Sequence, residues 1–423
     1  MEILNSYNLI IAASIIIILS FLFNEISRKT NVPSVLMLIV LGIVLKIGMD
    51  SAGISNLNFL PILEVLGIVG LIMIVLEAAL ELELKPEKMI PIATALFIAL
   101  AGLLLSAWVA AAILQYFIPE MSSLQAWMYA TPLSILSSAI IIPSVSGLSL
   151  KKKEFHIYES TFSDILGIML FYYLAAKVEN GAESNGFGGF LITLFLTIAI
   201  AFIASYLIVF IFQNIKSQAK LFLLISVLLL LYAVSKQMHL SALLIILVFG
   251  LVIANLELFF KGRLSKWLHL EKANSVYEGL HEITVETAFV VRTFFFVIFG
   301  ITITLSSLLS LKVALISGAI VVSIYAVRYA LLRPILGKDI LPQLFIAPRG
   351  LITILLFYNI PKQLETDLFD PGILLFIIIT TSLLMTFALV WDKNRSIKAI
   401  KKATDVPVGF TNWKAPDIEE IGK

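Results

Sequence analysis

The sequence predicts an all-α polytopic membrane protein of about thirteen transmembrane helices, built as two inverted six-helix repeats that each contain a broken helix. Three observations lead there. The chain of 423 residues is 60% hydrophobic and only 14% charged, with a mean hydropathy of +1.02, whereas a soluble domain carries about 25% charged residues to wet its surface. Apolar runs recur from residue 8 to residue 391 with no soluble block between them, so a single membrane body over residues 1–391 is expected rather than the several domains that length alone would suggest. Prolines and small polar residues interrupt two of these runs, at matching places in the two halves.

Crossing the hydrocarbon layer takes about 20 apolar residues per helix. The first such run, 7–24, follows a segment that holds Glu2 and no Lys or Arg, so it reads as a retained helix rather than a cleaved signal. Spans 2, 3 and 4 are expected at 32–48, 59–81 and 90–117. Span 5, 124–147, is interrupted from Thr131-Pro132 through Ser137-Ser138-Ala139 to Pro143. Span 6 covers 157–178, and span 7, 187–212, joins the two halves. Spans 8 to 11 fall at 219–235, 240–257, 284–306 and 310–335. Span 12, 340–360, is interrupted at Pro348-Arg349-Gly350, with Pro361 at its end, and span 13 covers 370–391. Between spans 9 and 10, the stretch from Lys261 to His281 mixes Leu264, Trp267, Leu268 and Leu270 with charges, the pattern of an amphipathic interfacial helix. Residues 392–423 form a short basic tail, too short for a nucleotide-binding module and suited to lie against anionic lipid headgroups.

Lys and Arg favour the cytoplasmic side of short connections. With the N-terminus outside, 22 of the 30 basic residues lie in cytoplasmic segments, 5 in outside segments and three within spans. The charge bias therefore predicts N-out and C-in, and an odd number of spans requires the same opposition. A net charge of +2 is too small for a nucleic-acid binder. The absence of cysteine excludes disulfides and thiolate metal sites. The four histidines, His156, His239, His269 and His281, form no metal-ligand pair at one-turn spacing. Neither an enzyme nor a resident cofactor is expected.

Chemistry is sought among the charges inside spans, because each costs about 2.5–3.5 kcal/mol or more at a helix centre and needs a partner or a water-filled cavity. Glu77, Glu81, Glu286 and Arg292 lie close enough to helix ends to snorkel. Asp164 does not, being eight residues into span 6 on a short side chain. Ser160 and Thr161 fall one turn below it on the same face. A carboxylate with neighbouring hydroxyls suits a small hard cation. It suits a proton equally, because burial disfavours the charged form of a carboxyl. The two interrupted spans supply an independent signal. Proline frees a backbone carbonyl, and irregular backbone is tolerated at membrane depth only where it is packed in protein or lines a cavity. If spans 1–6 and 8–13 are repeats, each interrupted span is the fifth of its repeat, running in opposite directions, which is the pattern of a secondary-transporter site. Span 6 directly follows the first break, bringing Asp164 beside Ser137 and Ser138.

These residues together resemble the monovalent cation:proton antiporter superfamily over essentially the whole membrane body. Glu159-Ser160-Thr161-Phe162-Ser163-Asp164 is similar to that family's ion-binding helix, and Ala347-Pro348-Arg349-Gly350-Leu351-Ile352-Thr353 to its second crossing helix. Leu76-Glu77-Ala78-Ala79-Leu80-Glu81-Leu82 and Phe294-Phe295-Phe296-Val297-Ile298-Phe299-Gly300 are similar to its third and tenth spans. The resemblance implies crossed broken helices and a cation/proton antiporter of the plasma (inner) membrane serving pH homeostasis. It implies a homodimer with spans 4–6 and 11–13 as the moving core and spans 1–3 and 8–10 as the scaffold. Asp164 would exchange proton for monovalent cation with help from Ser160, Ser163, Ser137 and Ser138, while Glu159 paired with Arg328, and Arg349 near the crossing, compensate charge. Ser163 stands where relatives carry Asn or a second Asp, so a single exchanging carboxylate predicts electroneutral one-for-one exchange. Sodium is the expected cation. Ser137-Ser138-Ala139 is closer to the potassium-efflux branch, which leaves potassium as the alternative. A cation channel is the alternative of another class, though channels usually build pores from subunit rings.

Overall fold

The computed structural model describes residues 6–30, 32–51, 60–82, 84, 86–179, 186–215, 220–237, 242–260, 270–302, 310–337 and 340–405. Among the described residues the structure is helical without strands, one of the two arrangements, with the closed barrel, that satisfy a backbone where no water can. Nine of these helical segments are long and apolar enough to cross a bilayer.

The first half comprises α1 (Ser6–Thr30), α2 (Ser34–Ser51), α3 (Leu60–Leu80), α4 (Met89–Phe117), α5 (Ser123–Ser134), α6 (Ser138–Ser144) and α7 (Leu150–Glu179). After α8 (Gly186–Phe212) come α9 (Lys220–Gln237), α10 (Ala242–Ala254), α11 (Leu256–Phe259), α12 (Leu270–Thr302), α13 (Leu311–Leu336), α14 (Leu351–Tyr358) and α15 (Gly372–Asp405). Helices fall within every predicted run, and span 5 is two helices, α5 and α6. Ser122 starts α5 with a capping box: its hydroxyl accepts from the Gln125 N–H while its own N–H donates to the Gln125 side chain.

Two expectations are corrected. Only the second half of span 12 is α-helical, because Pro342 and Pro348 bracket too few residues for an α-helix; a 3-10 turn, Gln343–Phe345, and a stretch without regular structure over 346–350 take its place. No separate interfacial helix occupies the described part of 261–281. From Leu270 onward those residues are the first turns of α12, and 261–269 lies outside the described residues. The tail begins as a continuation of α15 to Asp405, with 406–423 outside the described residues.

The helices pack as two sets. In one, α12 lies against α2 and α3, and α10 against α3, α8 and α9. In the other, α4 lies against α5, α7 and α13, α13 against α15, and α14 against α5. The sets meet where α3 touches α7 and α14, where α10 touches α7 and where α1 touches α6. The two unwound stretches lie within the second set.

Candidate functional site

The two breaks are held together by an exchange of hydrogen bonds. Had α5 continued, the Ser137 N–H would have donated to the Leu133 carbonyl four residues back. Instead it donates to the Pro348 carbonyl of the other unwound stretch at 3.0 Å. The orphaned Leu133 carbonyl is satisfied by Arg349, whose Nε donates to it at 2.7 Å while Nη1 donates to the Ala347 carbonyl at 3.0 Å. The Leu136 N–H, the next donor freed by the break, donates to the Ser163 hydroxyl on α7 at 3.0 Å. On the second stretch the Arg349 N–H donates to Thr381 Oγ1 of α15 at 3.1 Å. Side chains thus replace the helix ladder, as buried backbone requires.

Gly350 allows the close approach. A Cβ there would lie 2.5 Å from Ser137 Oγ and 2.8 Å from Ile140 Cδ1. Gly350→Ala is therefore expected to destabilise by about 1–3 kcal/mol through overpacking, read as a lowered melting temperature, with Ser137→Gly in the same chain restoring part of the loss.

Asp164 lies on α7 against this crossing. It is 3% exposed, and neither carboxylate oxygen makes a hydrogen bond among the described residues. The N–H and hydroxyl of Ser138, the first residue of α6, lie beside it. Asp164 shares a small cavity with Thr161 of α7, Ile74 and Ala78 of α3 and Ile352 of α14. On one side Ser138, Ile74 and Ala78 also line a funnel of about 300 Å³, whose walls include Glu77, Glu81 and Arg292. Toward the other end of α3, Leu355 of α14 packs into the notch at Gly67, where a Cβ would lie 2.5 Å from Leu355 Cδ2. The buried acid thus lies behind the walls Ile74 and Ala78 that its cavity shares with the funnel, and Leu355 packs against Gly67 where the two helix sets meet.

The other buried charges are compensated. Arg328 Nη1 donates to Glu159 Oε1 at 2.7 Å and Nη2 to Oε2 at 3.3 Å, with further bonds from Nε to the Leu344 carbonyl and from Nη2 to the Gln343 carbonyl. His156, one turn earlier on α7, bonds Glu159 Oε2 through Nδ1 at 3.0 Å. At the funnel wall, Arg292 Nη2 donates to Glu77 Oε1 at 3.1 Å.

This arrangement has relatives. A family model described as sodium/hydrogen exchanger, transmembrane, matches residues 12–391. The chain belongs to the sodium/hydrogen exchanger family. The exchanger is an integral membrane transporter of the cation/proton exchange class. No curated protein sequence matches it closely enough to count as a relative. Two solved structures of the sodium proton antiporter MjNhaP1 from Methanocaldococcus jannaschii share its fold. One, at pH 8, is 20% identical and covers 90% of this chain and 94% of its own, with a TM-score of 0.64. The other, an electron-microscopy map, is 18% identical and covers 98% and 100%, also with a TM-score of 0.64.

Of the exchanger's residues singled out in the sequence, Asp164, Ser137 and Ser138 come together at the crossing. The other two serines have backbone partners: Ser160 Oγ donates to the His156 carbonyl at 2.7 Å, and Ser163 caps the break. Glu159 and Arg328 pair as the resemblance implies, and Arg349 compensates carbonyls rather than a carboxylate. Sequence reasoning missed the His156–Glu159 contact, whose i, i+3 spacing on one helix face was its available signal. It also missed the funnel, which no local pattern encodes.

Proposed function

We propose that the exchanger trades one monovalent cation, sodium first, for one proton at Asp164, without net charge movement and by alternating access. One observation carries this reading: the buried Asp164 carboxylate has no hydrogen-bond partner among the described residues and lines a small cavity that shares Ile74 and Ala78 with the funnel. Deprotonated, Asp164 binds a dehydrated cation; protonated, it releases it. Because a bare carboxylate is costly to carry across an apolar barrier, the core reorients only when Asp164 is neutralised by one ligand or the other, which makes exchange obligatory. Glu159, Arg328 and Arg349 hold the broken helices and do not carry ions.

The core consists of α4–α7 and α13–α15, moving as a unit against a scaffold of α1–α3 and α9–α12. The thirteen-span, inverted-repeat topology with the N-terminus outside puts the C-terminal end of α3, and with it the funnel, on the cytoplasmic side of the plasma (inner) membrane. The contact between Leu355 and Gly67 then faces outward. The protein works as a homodimer.

In proteoliposomes loaded with a pH dye, an imposed sodium gradient is expected to drive proton flux at a rate insensitive to an imposed membrane potential. Potassium is the second reading, favoured by Ser137-Ser138-Ala139, which brings no carboxylate to the break; the same vesicles with a potassium gradient decide between them. Folded protein giving no proton flux under either gradient contradicts the proposal. Flux without proton coupling would indicate a channel.

A further inference from the structure

A carboxylate alone cannot replace the hydration shell of an alkali ion; other oxygens must complete it. Helix α7 carries three hydroxyls within about one turn of Asp164, those of Ser160, Thr161 and Ser163, and the structure separates them. The Ser160 hydroxyl donates to the His156 carbonyl at 2.7 Å and lies 3.2 Å from the Ile157 carbonyl. The Ser163 hydroxyl accepts the Leu136 N–H. Thr161 Oγ1 makes no hydrogen bond among the described residues, although its residue is fully buried.

That is unusual for a helical hydroxyl, which commonly donates to the carbonyl one turn back. Ser134, Ser144, Thr293, Thr381 and Thr386 all do so. The Ser137, Thr284, Tyr325 and Ser382 hydroxyls also lack a partner among the described residues, but none lies on the helix of Asp164 or lines its cavity. Thr161 does, three residues before it, and the two line the same cavity. The rest of that lining is Ile74, Val75, Ala78, Ile165, Leu247 and Ile352, whose side chains offer no oxygen. A buried hydroxyl and a buried carboxylate, neither with a hydrogen-bond partner among the described residues and both lining one small apolar-walled cavity, are the donor set of an oxygen site for a cation.

We propose that Thr161 is a ligand of the transported cation, that its Oγ1 gives a lone pair to the ion held by Asp164, and that Thr161, more than Ser160, sets affinity and discrimination among alkali ions. This rests on the reading of Asp164 as the exchange site. The hydroxyl is neutral, so it adds nothing to the charge that must be balanced in transit. It acts on cation affinity and leaves the proton's affinity for Asp164 largely alone.

Thr161→Val keeps the shape and removes the oxygen. In proteoliposomes its apparent KM for the cation is expected to rise about tenfold, equivalent to about 1.4 kcal/mol, with the maximal rate largely kept and the relative rates with lithium, sodium and potassium changed. Thr161→Ser should restore the affinity, and Ser160→Ala should have the smaller effect. Melting of purified protein gives a readout apart from transport. Without cation, Thr161→Val should be as stable as the parent or more so, because it removes an unpaired buried polar group; the stabilisation on adding sodium chloride should shrink. An unchanged KM in Thr161→Val, a larger effect from Ser160→Ala, or a marked loss of stability without cation would each overturn the proposal. Asp164→Asn distinguishes the two levels of failure. If it abolishes the sodium-dependent stabilisation while Thr161→Val leaves it intact, the exchange site stands and the ligand assignment falls; if Asp164→Asn still exchanges, the exchange reading itself falls.

Discussion

Asp164→Asn is expected to reduce cation/proton exchange to the level of protein-free vesicles while leaving the protein folded. The substitution keeps the shape of the side chain and removes both the titrating proton and the charge. Because neither carboxylate oxygen has a hydrogen-bond partner among the described residues, Asn loses at most the approach of the Ser138 N–H and hydroxyl beside it. A neutral amide is also less costly to bury than a carboxylate, so melting temperature should hold or rise as transport disappears. That opposition separates a transport role from a structural one, since a structural acid would lose both together. In the parent protein, competition at one site has a further consequence. Where Asp164 is mostly protonated, the apparent KM for the cation should rise in direct proportion to proton concentration as pH falls, with the maximal rate reached at saturating cation unaffected.

The second large effect is expected at Glu159 and Arg328, and it has the opposite character. Removing one member of a buried ion pair leaves an uncompensated charge and costs about 3–5 kcal/mol. The two sides are not equivalent. Arg328 also bonds the Gln343 and Leu344 carbonyls, which sit in the 3-10 turn of the first half of span 12. Arg328→Gln therefore takes the guanidinium from the Leu344 carbonyl, leaves the Gln343 carbonyl with only the Ile346 N–H, and leaves Glu159 with only His156. In Glu159→Gln the guanidinium keeps both carbonyls and gains an amide oxygen. The expected order of melting temperature is parent, then Glu159→Gln, then Arg328→Gln. The double variant should lose less than the sum of the singles, because no unpaired charge remains. Transport should fall in step with folded protein, in contrast to Asp164→Asn.

The parts of this site legible in the sequence are those that bilayer physics makes expensive. Asp164 stood out because a short acid eight residues into a span cannot snorkel. The breaks stood out because Thr131-Pro132 and Pro348-Arg349-Gly350 occupy corresponding places in the two halves. Glu159 and Arg328 were paired through the resemblance, and the pair is present. What escaped the sequence depends on atoms brought together from distant segments. Nothing local says that the Ser137 N–H leaves Leu133 for Pro348, or that Arg349 substitutes for it. The partner of Ser163 is an N–H freed 27 residues earlier, so its chemistry as a cap rather than a ligand could not be read from its neighbours. The non-α-helical first half of span 12 was more accessible, since Pro342 and Pro348 leave five residues between them, too few for a transmembrane half-helix.

The central claim, that cation and proton compete for one carboxylate, is tested most directly by proton release on cation binding. Purified protein in weakly buffered detergent solution, at a pH where the site is partly protonated, receives sodium chloride while a pH dye records released protons and calorimetry records bound cation. The account predicts a saturable release that tracks cation binding, diminishes at higher pH as the site empties of protons, and is absent in Asp164→Asn. Cation binding without proton release at any pH, or release that persists in Asp164→Asn, would contradict it.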